Sequence, residues 1–289
     1  MIMKNYLFID GSYYVFYRFH SLYNWYKLSH PDENIEETMV EPYNNDEFRE
    51  KYFNLFKTKL QEIPKKLKLE KPIIYIGKDC PRKDIWRHKY VENYKGTRVI
   101  KQNKNPREFF INVYENNLFE NSFNNIINNK RSKLDIIPEK VKLLKYDTLE
   151  ADDCIALMVN NIIENEDDDY TITIITGDLD YLQLMKNDKI SILNASLKPL
   201  NTIKNSLGCY KKDLLMKIIT GDKSDNINSI MKKCGKKTAE KIVNDETGKE
   251  LDKILENDEV KENFINNTLI IDFNSIPLEL KNGFYDMYL

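Results

Sequence analysis

The stretch YLFIDGS, Tyr6 to Ser12, decides the fold. Four apolar or aromatic residues in a row end on Asp10-Gly11-Ser12, the mark of a strand buried on both faces that runs into a polar turn. The same grammar returns twice. PIIYI (Pro72 to Ile76) stops at Gly77-Lys78-Asp79, and TITIIT (Thr171 to Thr176) stops at Gly177-Asp178-Leu179-Asp180. Strands hydrophobic at every position belong in the middle of a parallel sheet covered by helices on both faces, and ligands collect beyond the carboxyl ends of such strands. All three strands deliver carboxylates there. The expected class is therefore α/β, with a central, mainly parallel sheet flanked by helices.

Between the strands, apolar spacing predicts helices over Asp46 to Leu69 and Glu150 to Glu164. Asp147 and Glu150 fit the cap-x-x-Glu pattern of a helix start, which places Glu150, Asp152 and Asp153 in a first turn. The acidic stretch Asp32 to Glu47 reads as a solvated loop. From about Asp213 the pattern becomes small and all-helical, so residues 1–205 are expected to form the main unit and 206–289 a helical module.

Composition narrows the class. The 289 residues carry 44 Lys plus Arg against 46 Asp plus Glu, a formal charge of −2, with 41% hydrophobic and 11% aromatic residues. That content excludes a disordered chain. Cys80, Cys154, Cys209 and Cys234 form no C-x-x-C pair, which argues against a zinc knot or a disulfide framework and for a reducing, cytoplasmic setting. No apolar run approaches the ~20 residues that span a bilayer, and the first residues lack signal-peptide character, so no membrane role is expected.

The acids that end elements are Asp10, Asp79, Glu150, Asp152, Asp153, Asp178, Asp180, Asp222 and Asp225. Gathering even a few of them near one sheet edge costs several kcal/mol each unless cations compensate. Mg²⁺ or Mn²⁺ would do so through oxygen ligands, and two such ions can clamp both oxygens exchanged at a phosphodiester. His20, His30 and His88 have neither zinc-ligand spacing nor a place in a Ser/His/Asp set, so cation-activated water is the expected nucleophile. Taken singly, Asp-Gly after a strand is a turn and E-A-D-D a helix start favoured by the dipole. Three acidic strand ends and two acidic helix starts in one chain exceed that explanation.

Residues Lys78 to Arg107 hold ten Lys or Arg against three acids, with Trp86, Tyr90 and Tyr94 interleaved. Such a mixture suits a groove that tracks a phosphate backbone and stacks bases; the plainer alternative is a solvated basic face.

The order D-G-S, D, E-A-D-D, T-G-D-x-D, G-D-K-S-D-N resembles the flap endonuclease or 5′-nuclease family, whose core is PIN-like. Asp79, Trp86, Arg87, Tyr94, Lys95 and Arg98, with the late segment NTLIIDFNSIP (Asn267 to Pro277), are most similar to the RNase H members from T-even bacteriophages. The likeness runs from about Tyr6 to Tyr288. It implies a 5′-nuclease catalytic core with a helical arch over about residues 82–133, followed by a helix-three-turn-helix module that binds duplex DNA. It assigns Asp10, Asp79, Glu150 and Asp152 to one Mg²⁺, and Asp153, Asp178, Asp180, Asp222 and Asp225 to a second or its water shell. Lys95 and Arg98 would meet the scissile phosphate beside the catalytic acids Asp10 and Asp79, with Tyr94 stacking and Arg82, Lys83 and Arg87 contacting DNA. In the hairpin, Lys232, Lys233, Gly235, Lys236, Lys237 and Thr238 would hold the duplex. Lys233 stands where the family has a glycine, a position where any other residue strains the turn.

The implied activity is metal-dependent 5′-nuclease cleavage, exonuclease and flap endonuclease, with RNase H-like removal of RNA primers in replication or repair. Branched or nicked DNA, 5′ flaps and RNA/DNA hybrids are the implied substrates of a monomer. Mn²⁺ as substitute, K⁺ at the hairpin, and a sliding clamp or single-strand-binding protein as partner belong to the same expectation. A PIN-like or 5′-3′ ribonuclease acting mainly on RNA is the alternative; a dehalogenase-type phosphatase is disfavoured because Ser12 stands where its second Asp is needed. A non-catalytic scaffold is disfavoured because every acidic position is filled. The near-neutral total is also explained: 46 acids less these nine leave 37 against 44 basic residues.

Overall fold

The computed structural model describes residues 3–91, 93–96, 105–128, 138–166, 169–202 and 206–289. Among them, β1 (Lys4–Asp10), β2 (Ile73–Gly77), β3 (Lys140–Leu144), β4 (Tyr170–Ile175) and β5 (Ile190–Leu193) form one sheet in the order β3-β2-β1-β4-β5, every pairing parallel. The helices are α1 (Gly11–Ser29), α2 (Ile35–Thr38), α3 (Asp46–Lys66), α4 (Arg107–Glu115), α5 (Leu118–Asn128), α6 (Ala151–Asn165), α7 (Tyr210–Thr220), α8 (Lys236–Val243), α9 (Lys249–Leu255), α10 (Asp258–Ile271) and α11 (Leu278–Tyr288).

The central strand explains the continuous hydrophobicity. Leu7 and Ile9 face a core built with α1, α3, α4 and α5, while Tyr6 and Phe8 face a second core built with α6. Register then sets the site. Asp10 pairs with Gly77 across β1 and β2, and Ile9 with Ile175 across β1 and β4. The chain after each strand therefore emerges at one edge, and Asp79 and Asp178 lie a few residues beyond it. The expected three central strands are these; β3 and β5 are additional, short edge strands.

Several expectations are corrected. Residues 109–123 do not stand clear of the body as part of an arch. Phe109, Val113, Phe119 and Phe123 are buried, with the Phe109 ring 4.5 Å from Tyr52 and the Phe119 ring 5.0 Å from Phe56. Each such aromatic burial stabilises by about 1.5–3 kcal/mol, enough to seat α4 and α5 on the core. Of the arch expected over about 82–133, residues 92, 97–104 and 129–133 lie outside the described residues, as does the boundary at 205. The stretch read as a loop at 32–47 contains α2 and a short 3₁₀ turn, with Ile35, Met39 and Pro42 buried. Helix α6 is capped by Glu150 rather than Asp147: the Glu150 amide donates to Asp153 Oδ2 at 3.1 Å.

The C-terminal helices do not stay apart from the sheet. Phe284 of α11 is buried in the α6 core, and the Tyr285 and Tyr288 hydroxyls donate to the carbonyls of Leu157 (3.1 Å) and Lys145 (2.9 Å). No described helix is long and apolar enough to cross a membrane.

Candidate active site

Asp10 ends β1 and caps α1. Its Oδ1 accepts the Tyr13 amide at 2.9 Å and its Oδ2 the Thr176 hydroxyl at 3.1 Å, which fixes both oxygens at the sheet edge. Asp79 Oδ1 accepts the Ala151 amide at 2.8 Å, so the start of α6, where the helix dipole favours negative charge, holds it. Beyond β4, Asp178 Oδ1 accepts the Asp180 amide at 3.0 Å. Asp222 and Asp225 arrive from the loop after α7, and that loop depends on Gly221. Its φ is +68°, and a Cβ there would meet the Ile227 and Asn228 carbonyl oxygens at 2.4 Å, so only glycine lets the chain turn back.

These segments open on one cleft of about 940 Å³ whose lining includes Asp10, Asp79, Glu150, Asp152, Asp178, Asp180 and Asp222, with Lys95 and Lys217. Ligand oxygens of Glu150, Asp152 and Asp153 lie within 4.8 Å of one another, and so do those of Asp180, Asp222 and Asp225. The crowding has an electrostatic signature. Burial, then the charges of Asp79 and Asp178, pushes the Asp10 carboxyl up to about 7. Burial and Asp178 push Asp180 up to about 6 against the pull of Lys217. Asp152 is raised well above the carboxylate range by burial, then by Asp153 and Glu150. At Asp222 burial acts upward too, but Lys217 at 2.8 Å and the Ser224 hydrogen bonds outweigh it and hold the group down at about 2.

A cation fits this donor set. Among the cleft-lining residues the ligands are oxygen atoms, without His or Cys, as hard divalent cations require. Two ammonium groups offset part of the acid charge. Lys95 pairs with Glu150, and Lys217 bridges Asp180 and Asp222. Burial works against charge on Lys95, but Glu150 and Asp152 outweigh it and keep the ammonium protonated.

Three expected roles change. Asp153 is close enough to its neighbours to share an ion, yet its oxygens are already engaged: Oδ1 accepts Arg87 Nη2 at 2.7 Å, and Oδ2 accepts Arg87 Nη1 at 2.8 Å and Trp86 Nε1 at 2.9 Å. Distance alone does not make it a ligand; it is an anchor. Arg87, expected on DNA, is 3% exposed and also donates to Glu150 and to the Ile270 carbonyl. Tyr94, expected to stack on a base, is 4% exposed and its hydroxyl donates to Glu150 at 3.1 Å and Asp225 at 3.3 Å. All three hold the acids in place from behind.

The remaining expected contacts are accessible. Arg82 and Lys83 are exposed, as are Lys232, Lys233 and Gly235 in the turn before α8 and Lys236, Lys237 and Thr238 in its first turn. Lys233 has φ +62°, the left-handed conformation expected at the missing glycine. Arg98 lies outside the described residues. Sequence reasoning missed Thr176, Lys217 and Tyr181. Thr176 was legible as the residue joining β4 to Gly177, whereas Lys217 is one more lysine on a lysine-bearing helix, with no spacing to mark it.

A parallel sheet in this strand order, with acids from both sides of β1 converging at its carboxyl edge, is the PIN-like 5′-nuclease fold. The chain belongs to the 5′-3′ exonuclease family: residues 5–213 match the model of its N-terminal, resolvase-like domain. No curated protein sequence matches it. Among solved structures it is similar to the bacteriophage T5 flap endonuclease, a substituted form of which was solved as a pseudo-enzyme-product complex with DNA and metal ions (TM-score 0.58, 16% identity, 98% of this chain and 97% of that chain). It is also similar to the T5 protein co-crystallized with metal ions (0.58, 16%, 98% of both chains). A third match is T5 5′-exonuclease with zinc bound (0.58, 17%, 98% of both chains). At these identities the likeness is one of fold.

Proposed function

We propose that this chain is a divalent-cation-dependent, structure-specific 5′-nuclease that removes 5′ flaps and RNA primers during DNA replication or repair. The observation that carries the reading is the convergence, in one cleft, of carboxylates from β1, β2, α6, β4 and the loop after α7. Asp10, Asp79, Glu150 and Asp152 would hold one cation; Asp178, Asp180, Asp222 and Asp225 would hold a second. Mg²⁺, with Mn²⁺ as substitute, suits these oxygen donors. When bound, such cations supply the charge that activates water and stabilises the departing oxygen.

The chain's own residues do the rest. Lys95 leaves Glu150 to meet the scissile phosphate, joined by Arg98, and both counter charge that grows there as the bond breaks. Tyr13, Phe16 and Phe110 line the same cleft and offer ring faces to an unpaired nucleotide. The exposed lysines before α8 track the duplex backbone by charge. The D-G-S, E-A-D-D and T-G-D-x-D segments all contribute to one pocket.

The test is a cleavage assay on 5′-labelled flap, nicked and RNA/DNA substrates beside single-stranded RNA, with Mg²⁺ and with EDTA. Short products released from the 5′ end of branched DNA and hybrids, only with the cation, are expected. Cleavage confined to single-stranded RNA, or unaffected by EDTA, overturns the proposal.

A further inference from the structure

Tyr181 follows Asp180 directly and lines the cleft, yet the mechanism above gives it no task. It is fully buried, with its ring 6.2 Å from that of Phe273 in an edge-on arrangement. Its hydroxyl has no hydrogen-bond partner among the described residues. Three other buried tyrosines are satisfied: Tyr14 donates to the Phe56 carbonyl, Tyr52 to the Val15 carbonyl and Tyr94 to Glu150, whereas the buried Tyr114 hydroxyl also has no such partner. A buried hydroxyl without a partner is costly, and a phenylalanine would fill the same space without that cost. Packing therefore does not call for tyrosine here.

The surroundings say what does. Besides burial, the charges acting on the Tyr181 phenol are those of Asp10, Asp152, Asp79 and Asp178, which come from four different segments. Tyr181 thus borders the same cleft that these four acids line. Mg²⁺ gives up its water reluctantly and keeps several molecules when it binds to carboxylates, and each bound water needs an acceptor for its protons. Groups that receive those protons orient the ion's shell without touching it.

We propose that Tyr181 is a positioning residue of the cation site, its hydroxyl oxygen accepting a hydrogen bond from a water of the cation's hydration shell. The proposal rests on the reading of the cleft as a divalent-cation site. It gives the hydroxyl a partner that the folded chain alone does not provide.

The experiment is an Mn²⁺ titration by electron paramagnetic resonance on the metal-free protein, without DNA, comparing the natural chain with Tyr181→Phe, together with thermal melts of both in EDTA. The substituted protein is expected to bind Mn²⁺ about tenfold more weakly, the low end of what a lost outer-shell partner costs. In EDTA it should melt at the same temperature as the natural chain or higher. Equal Mn²⁺ affinity overturns the proposal, and so does a lower melting temperature in EDTA, because the hydroxyl would then be bonded within the protein. If the natural chain takes up no Mn²⁺, the reading of the cleft itself fails, and this proposal with it.

Discussion

Arg87 grips Asp153 with both ends of its guanidinium, Nη2 to Oδ1 at 2.7 Å and Nη1 to Oδ2 at 2.8 Å, where neither side chain meets solvent. The pair is held on two further sides, by Trp86 Nε1 on Asp153 and by the Ile270 carbonyl on Arg87 Nε. A residue that looks like a DNA contact in the sequence is thus the bolt between the acidic start of α6 and the end of α10. Removing one partner strands the other charge in the interior. Arg87→Ala should lose about 3–5 kcal/mol of stability, read from urea denaturation. A near-neutral change in stability, accompanied by weaker DNA binding, would return Arg87 to the substrate surface.

Acids that face the cleft should behave in the opposite way. Asp10→Ala or Asp178→Ala should slow cleavage by about a thousandfold or more, since several kcal/mol of charge stabilisation are lost, while DNA binding measured by fluorescence anisotropy stays close to normal. Full turnover by Asp10→Ala with Mg²⁺ would sink the assignment.

The raised carboxyls predict a pH dependence for the metal-free protein. With Asp10 at about 7 and Asp180 at about 6, against 3.8 for an ordinary aspartate, the folded state binds protons that the unfolded chain has already released. Stability in EDTA therefore falls as pH rises from about 4 to about 7. Asp222, held at about 2, contributes stability that is complete above 3.8 and lost only as pH falls through 2, outside that window. Melting temperatures in EDTA should decline across this range, and Mg²⁺ should raise them more at pH 8 than at pH 5. A profile that rises with pH in EDTA would contradict the electrostatics of the cleft.

At the turn before α8, Lys233 occupies a left-handed backbone conformation with φ +62°. Relief of that strain in Lys233→Gly is expected to stabilise the protein by about 1 kcal/mol, seen as a rise of about 2 °C in melting temperature. If the lysine also meets a phosphate, the slope of log affinity against log salt should shrink by about one unit for a duplex ligand. An unchanged slope would confine Lys233 to the turn.

The central strands β1, β2 and β4 and their trailing acids were legible because burial on both faces leaves an unbroken apolar run that charge interrupts only at the ligand edge. β3 was not, since Lys140 and Lys142 alternate with its apolar residues at the sheet margin, where one side of each strand has no neighbour. α4 and α5 hid among asparagines, and their aromatics read as well for an exposed groove as for a core. Within the site, residue type located the carboxylates but not their tasks. Asp152 and Asp153 are adjacent, yet Asp152 lines the cleft while Asp153 points at Arg87, a difference set by rotation about α6 that no string of letters displays. Trp86, Arg87 and Tyr94 carry the same blindness, because a buried donor and a nucleic-acid donor share one chemistry.

The bond from Arg87 to the Ile270 carbonyl also orders events in time. The first acid lining the cleft is residue 10 and the last is residue 222, and Arg87, already paired with Asp153 and Glu150, finds a further acceptor at residue 270. A chain emerging from the ribosome thus carries all the cleft-lining acids before the end of α10, which completes the hold on Arg87, has been made.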